Sequence, residues 1–219
     1  IKIILLAIIQ GITEFLPVSS SGHIVLFDHL FGSMDSDIIL EVVLHFGTLI
    51  SILYFFRKDI IELIRGVLKA DKESLQYTLQ IIIATIPAVV IVLFAKVFHF
   101  QIESLFVLNT LMYTYLFNSI ILYSTKNSKG ESNNISYSVA IMMGCAQVFA
   151  LLPGISRAGI TICTALVLGY NQKTAAKFSF FMAIPAILGA LVFKIEDIIN
   201  QASFEIHLLV IGFFLSMVM

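Results

Sequence analysis

Two short polar islands, each built on a proline, interrupt a chain that otherwise reads as membrane-embedded helix. The first is Gln10-Gly11-Ile12-Thr13-Glu14-Phe15-Leu16-Pro17-Val18-Ser19-Ser20-Ser21-Gly22-His23. The second is Leu152-Pro153-Gly154-Ile155-Ser156-Arg157-Ala158-Gly159-Ile160-Thr161. Charged and hydroxyl groups at membrane depth cost free energy unless they meet a partner or serve a site. Wherever the rest of the chain goes, the fold has to bring these groups to one another or to water.

The surroundings justify the word membrane. Of 219 residues 59% are hydrophobic and 12% charged, and the mean hydropathy is +1.00. A soluble domain carries about twice that charge. The net charge of −1 and the lack of a basic stripe argue against nucleic acid. Cys145 and Cys163 lie in apolar stretches and are expected to be small core residues, neither bridged nor metal-bound. No cleavable signal peptide is evident, and both ends are expected to be trimmed.

Apolar runs fall at 1–16, 38–56, 76–98, 104–123, 135–152, 160–170, 178–193 and 206–219. The runs 38–56, 76–98 and 104–123 are long enough to span comfortably, a span needing about 20 residues. Those flanking the islands are cut short by Pro17 and Pro153. A helix ending at mid-membrane must satisfy its loose backbone groups inside protein or at a wet cavity. Residues 1–31 and 135–170 are therefore expected to form two helix–turn–helix hairpins that enter the membrane and turn back.

Basic residues orient the chain. Arg57, Lys58, Arg65, Lys69 and Lys72 fill a loop at 57–73, Lys126 and Lys129 one at 124–134, and Lys173 and Lys177 precede the next span. The positive-inside rule puts all three in the cytoplasm. Asp35, Asp37, Glu103, Glu196, Asp197 and Glu205 fall on the opposite side. The first hairpin then enters from outside and the second from the cytoplasm. With the likeness of the two islands, this predicts an inverted-topology repeat, repeat one about 1–123 and repeat two about 135–219, within a single membrane domain. The fold class is all-α: a polytopic integral membrane protein with two re-entrant hairpins.

The islands also carry chemistry. Ser19 or Ser20 can cap a helix after Pro17, and Ser156 one after Pro153. Two helix N-termini converging on one point suit a dianion or a diphosphate. Arg157 adds a planar fork matched to phosphate oxygens. Gln10 and Glu14 share a helical face. Glu14 can ligate Mg²⁺ alongside phosphate oxygens or act as a base toward Ser20 or water, and Gln10 can add a carbonyl ligand. Ser20 is a candidate nucleophile and His23 a candidate acid–base partner.

Plainer readings stand beside these. Glu14 and Arg157 can form a buried ion pair that merely locks the hairpins. Serines and glycines let membrane helices approach closely. His23 can be a structural hydrogen bonder. His29, His45, His99 and His207 read as structural or interfacial, and Glu41 as a span-end charge or a residue behind the site.

In these islands the chain resembles the bacterial undecaprenyl-diphosphate phosphatases, also called bacitracin-resistance proteins. The first signature of that family reads here as Gln10-x-x-x-Glu14 followed by Pro17 to His23, and the second as Pro153-Gly154-Ile155-Ser156-Arg157-Ala158-Gly159-Ile160-Thr161. Glu41 to Gly47 and Phe178 to Pro185 are similar to further family stretches, so the resemblance covers essentially the whole chain. Two positions depart from the pattern: Gln10 stands where the signature also allows Glu, and Ala158 replaces the second serine of a Ser-Arg-Ser core. Family members run longer, so the second repeat is expected to be C-terminally incomplete.

The resemblance implies an enzyme that hydrolyses undecaprenyl diphosphate to undecaprenyl phosphate and inorganic phosphate, recycling the lipid carrier for peptidoglycan. It implies a divalent cation, usually Mg²⁺, and a multi-pass protein of the bacterial cytoplasmic membrane whose site opens to the outer face. The partners implied are the polyprenyl diphosphate and membrane lipid, not nucleic acid, with room left for a homo-oligomer. The candidate catalytic residues are Glu14, Ser20, His23 and Arg157. Gln10, Ser19, Ser21, Gly154, Ser156 and Thr161 form the candidate substrate-binding set, and Glu14 and Gln10 the candidate metal ligands. The rival readings are a secondary transporter, which shares inverted repeats and broken helices, and a non-catalytic protein that binds or flips polyprenyl phosphates.

Overall fold

The computed structural model describes residues 2–31, 38–100, 102–105, 107–200 and 206–219. Its described elements are helical: α1 Lys2–Thr13, α2 Ser20–Phe31, α3 Ile38–Phe55, α4 Arg57–Leu68, α5 Lys72–Val97, α6 Leu108–Ser124, α7 Tyr137–Phe149, α8 Arg157–Val167, α9 Gln172–Asn200 and α10 Ile206–Val218. A single 3₁₀ turn covers Ile102–Leu105. The chain is an all-α, multi-pass membrane protein. Among the described residues two helices, Lys72–Val97 and Gln172–Lys194, are long and apolar enough to cross a bilayer, and the bent pair Ile39–Phe55 and Arg57–Leu68 makes a third span if taken as one.

The outer faces carry the side chains that lipid accepts. Ile86, Val90, Phe94 and Phe98 are exposed around α5, and Met112, Leu116 and Ile120 on α6. Inside, α5 packs on α7 and α9, α3 on α9 and α10, α1 on α2 and α10, and α8 on α6, α7 and α9. One core gathers Met143, Phe178, Phe181 and Met182. A second gathers Leu6, Phe27 and Leu44, and a third Leu49, Ile52, Ala183 and Ile187. Gly144 lets α7 lie against α5: a Cβ there would come within 2.3 Å of the Ala84 carbonyl oxygen.

The island helices are short, as expected. α1, α2, α7 and α8 have 12, 12, 13 and 11 residues. At 1.5 Å per residue, each reaches about 20 Å or less, short of the ~30 Å apolar core of a bilayer. Both stop before their prolines, α1 at Thr13 and α7 at Phe149.

Four expectations need correction. Residues 57–73 are not a plain loop: 57–68 form α4, bent 74° from α3 at Phe56. Ile60 and Leu63 recur at helical spacing and pack on the first core, while Arg57, Lys58 and Arg65 stay outside. The run 104–123 yields a 17-residue helix beginning only at Leu108. The run 178–193 is the middle of α9, whose first turns include Lys173 and Lys177. Cys145 is also exposed, because α7 turns its other face to α5 and α8, whereas Cys163 is buried.

The basic segments meet at one end of the molecule. Lys177 of α9 forms an ion pair with Asp59 of α4. Ser132 bridges to Tyr170, and the Asn171 amide donates to the Ser132 carbonyl, so the 124–134 connection lies beside the start of α9. Asp35, Asp37 and Glu205 lie outside the described residues.

Candidate active site

The two islands become two turns that touch. After α1 the chain passes Pro17 and enters Ser19 at φ 64°, a left-handed conformation that few side chains adopt. There the Ser19 Oγ accepts from the Gly22 amide at 3.2 Å and caps α2. After α7, Gly154 turns the chain at φ 91°. Ser156 then caps α8, its Oγ accepting from the Gly159 amide at 3.0 Å. Each cap also reaches the other turn: the Gly154 amide donates to Ser19 Oγ at 3.1 Å, and Ser156 Oγ donates to the Leu16 carbonyl at 3.3 Å.

Close approach explains the glycine at position 22. A Cβ there would lie 2.6 Å from the Tyr115 hydroxyl and 2.9 Å from the Gly154 Cα. The N-termini of α2 and α8 thus meet, as the sequence leads one to expect.

Glu14 is the hub. It is 9% exposed. Its Oε1 pairs with Arg157 Nη2. Its Oε2 accepts from Gln10 Nε2 at 3.0 Å and from Ser20 Oγ at 2.7 Å. The guanidinium cancels the carboxylate charge, which is what a buried acid needs. The Ser20 hydroxyl, meanwhile, points its proton at a base. Two buried polar atoms remain unpartnered at this hub, Gln10 Oε1 and Arg157 Nη1. The Gln10 amide is not reversible, because its nitrogen must face the carboxylate. A hydrogen-bond acceptor is therefore wanted at Arg157 Nη1 and a donor or cation at Gln10 Oε1.

A divalent cation fits this donor set only in company. Among the described residues no group of three or more His, Cys, Asp and Glu side chains gathers. One carboxylate and one orphaned amide oxygen are hard donors of the type Mg²⁺ takes, and phosphate oxygens and water would have to complete its shell.

The other candidates occupy varied places. His23 is turned to α6 and to its own turn: Nδ1 lies 2.8 Å from the Ser19 carbonyl and 3.1 Å from the Tyr115 hydroxyl. Ser21 Oγ is 3.2 Å from Ser19 Oγ. Thr161 is fully buried; its hydroxyl donates to the Arg157 carbonyl at 2.7 Å and meets Ser179 Oγ at 2.6 Å, fixing the first turn of α8 to α9. Glu41 lies 3.9 Å from Lys194, and its carbonyl lies 2.8 Å from His45 Nδ1.

Sequence reasoning passed over three contributors. His45 Nε2 is 3.7 Å from Glu14 Oε2, although the sequence gives this histidine no polar company. Tyr115 stands edge-on to the His23 ring. Asn118 contacts both turns: its Nδ2 donates to the Pro17 carbonyl at 3.0 Å and its Oδ1 accepts from the Ser156 amide at 3.1 Å. None of the three lies in an island; only a shared helical face, Tyr115 and Asn118 one turn apart on α6, hints at a common purpose.

The sequence profile of "Bacitracin resistance protein BacA" matches residues 3–219. Similar curated proteins carry the name undecaprenyl-diphosphatase. One from Caldicellulosiruptor bescii is 40% identical over 221 residues, covering 98% of this chain and 82% of the relative. One from Methanobrevibacter smithii is 37% identical, covering 100% of this chain and 84% of the relative. One from Christiangramia forsetii is 43% identical, covering 85% and 72%.

Proposed function

The chain belongs to the bacitracin resistance protein BacA family, and from that premise we propose that it is an undecaprenyl-diphosphatase, hydrolysing undecaprenyl diphosphate to undecaprenyl phosphate and inorganic phosphate. The observation that carries the reading is the hydrogen bond from Ser20 Oγ to Glu14 Oε2, beside an arginine with an unused donor. A hydroxyl aimed at a carboxylate, next to a cationic fork, is the equipment of phosphoryl transfer rather than of passive binding.

The mechanism follows from these groups. The anionic diphosphate draws Arg157 through its free Nη1, which loosens the ion pair and restores basicity to Glu14. Glu14 takes the Ser20 proton as Oγ attacks the terminal phosphorus. The bond from that phosphorus to the bridging oxygen breaks, and undecaprenyl phosphate leaves. Water then attacks the phosphoserine and gives up a proton that restores His23, the phosphorus–Oγ bond breaks, inorganic phosphate departs, and Glu14 returns its proton to Ser20 Oγ. His23, one turn beyond Ser20 on α2, supplies the proton to the leaving oxygen. Arg157 and the N-termini of α2 and α8 stabilise charge on the transferred group. A divalent cation, Mg²⁺ by preference, would be held by Gln10 Oε1 and Glu14 and would neutralise diphosphate charge when bound.

The same reading includes the topology. The short helix pairs α1–α2 and α7–α8 are re-entrant hairpins of an inverted repeat, supported by the reciprocal caps Ser19 and Ser156. The basic end faces the cytoplasm and the site opens to the outer face of the bacterial cytoplasmic membrane.

The test is phosphate release from undecaprenyl diphosphate by the purified full-length protein in detergent, with and without chelator. Release that depends on a divalent cation and is lost in Ser20→Ala is expected. Flux of polyprenyl phosphate across liposomes without phosphate release would replace the enzyme by a transporter or flippase.

A further inference from the structure

The reading above assigns no role to the buried side chain of Asn118. Asn118 is 3% exposed and sits in α6, between Phe117 and Ser119, outside both islands. Its amide is divided between them, the donor on the Pro17 carbonyl and the acceptor on the Ser156 amide. The orientation is forced, since a proline carbonyl can only accept and a backbone amide can only donate. We propose that Asn118 is a positioning residue for the phosphatase site, holding the Glu14–Ser20 turn and the Arg157 turn at a fixed separation; this rests on the hydrolytic reading.

The placement of the two hydrogen bonds is the argument. Pro17 lies three residues after Glu14 and three before Ser20, and Ser156 immediately precedes Arg157. Each bond therefore fixes backbone within a few residues of one half of the Glu14–Arg157 pair. A primary amide is the one small neutral side chain that offers a donor and an acceptor side by side. Leucine has the same shape and offers neither. A misplacement of about 1 Å at reacting groups costs about 10²-fold in rate. The neighbouring positions on α6 serve the same junction: Tyr115 meets His23 and Gly22, and Thr114 lies against Gly154.

The experiment compares wild type, Asn118→Leu and Asn118→Asp as full-length proteins in detergent, measuring kcat and KM for phosphate release from pH 5 to pH 8. Asn118→Leu is expected to lower kcat by about 10–100-fold and to change KM by less than about threefold, because the separation of catalytic groups changes while the lipid-binding surface does not. Asn118→Asp is expected to be poor at neutral pH, with its activity relative to wild type rising as the pH falls. A protonated carboxyl again presents one donor and one acceptor; a carboxylate presents only acceptors to the Pro17 carbonyl.

Wild-type kcat in Asn118→Leu overturns the proposal. If the leucine variant fails to fold, a pH-independent ratio for Asn118→Asp overturns it, because a merely structural loss does not reverse on protonation. Absence of phosphate release by wild type overturns the hydrolytic reading and the positioning role with it, an outcome distinct from either of these.

Discussion

The Ser19 hydroxyl oxygen accepts the amide of Gly154 across the junction of two segments 135 residues apart in sequence, while capping its own helix through Gly22. One oxygen atom thus ties together the start of α2 and the turn before α8. Replacing Ser19 by Ala leaves two buried amides without an acceptor, at about 1–3 kcal/mol each. The unfolding midpoint in detergent is expected to fall accordingly, and phosphate release with it. Ser19→Gly loses the same oxygen but relieves the left-handed backbone, and is expected to be the milder change by about 1 kcal/mol. Equal stability of Ser19→Ala and wild type would show that the cap is not needed.

Arg157 offers Nη1 to an incoming phosphate while Nη2 engages Glu14. Arg157→Lys keeps the charge and loses the fork, so kcat/KM is expected to drop by about 10²-fold, and Arg157→Ala by about 10³-fold. Steady-state phosphate release decides it; a lysine variant as active as wild type would mean that charge alone suffices.

Glu14 and Ser20 share one hydrogen bond and, on the proposed mechanism, one proton. Glu14→Gln and Ser20→Ala are each expected to abolish most turnover, and the double variant to be barely worse than either, since residues acting as a unit are not additive. Independent, multiplying losses would separate their roles.

Gln10 holds a free carbonyl oxygen at the hub. If that oxygen helps to hold a divalent cation, Gln10→Ala raises the Mg²⁺ concentration for half-maximal activity by about tenfold while Gln10→Glu lowers it. An unchanged Mg²⁺ titration in both variants removes Gln10 from the metal site.

Gly22 has no room for a methyl group. Gly22→Ala is expected to cost activity at constant expression, and Tyr115→Phe in the same protein to restore part of it, because the nearest obstacle, at 2.6 Å, is the tyrosine hydroxyl. No recovery would place the pressure on the Gly154 backbone instead.

The sequence disclosed the islands, their caps and the Gln10–Glu14 face because all of these depend on neighbours within one or two turns of chain. Ser156 caps α8 as its spacing predicts, and Pro17 and Pro153 end their helices early. What stayed hidden depends on distant packing. Asn118 and Tyr115 lie in an apolar run where only their spacing of one turn hints at a shared role, and His45 gains its meaning only when α3 is laid beside the first turn. α4 was obscured differently: its charges suggested a loop, whereas Ile60 and Leu63 docking on the first core make it a helix.

The reciprocal caps carry a consequence for how the protein comes apart. Because the amides of Gly22 and Gly154 share one acceptor, a rotation of the Ser19 side chain opens both to solvent exchange at once. Two turns far apart in sequence then share one local opening event, so a Ser19 variant is expected to lower the amide protection of Gly22 and Gly154 together, as one unit at the junction of α2 and α8.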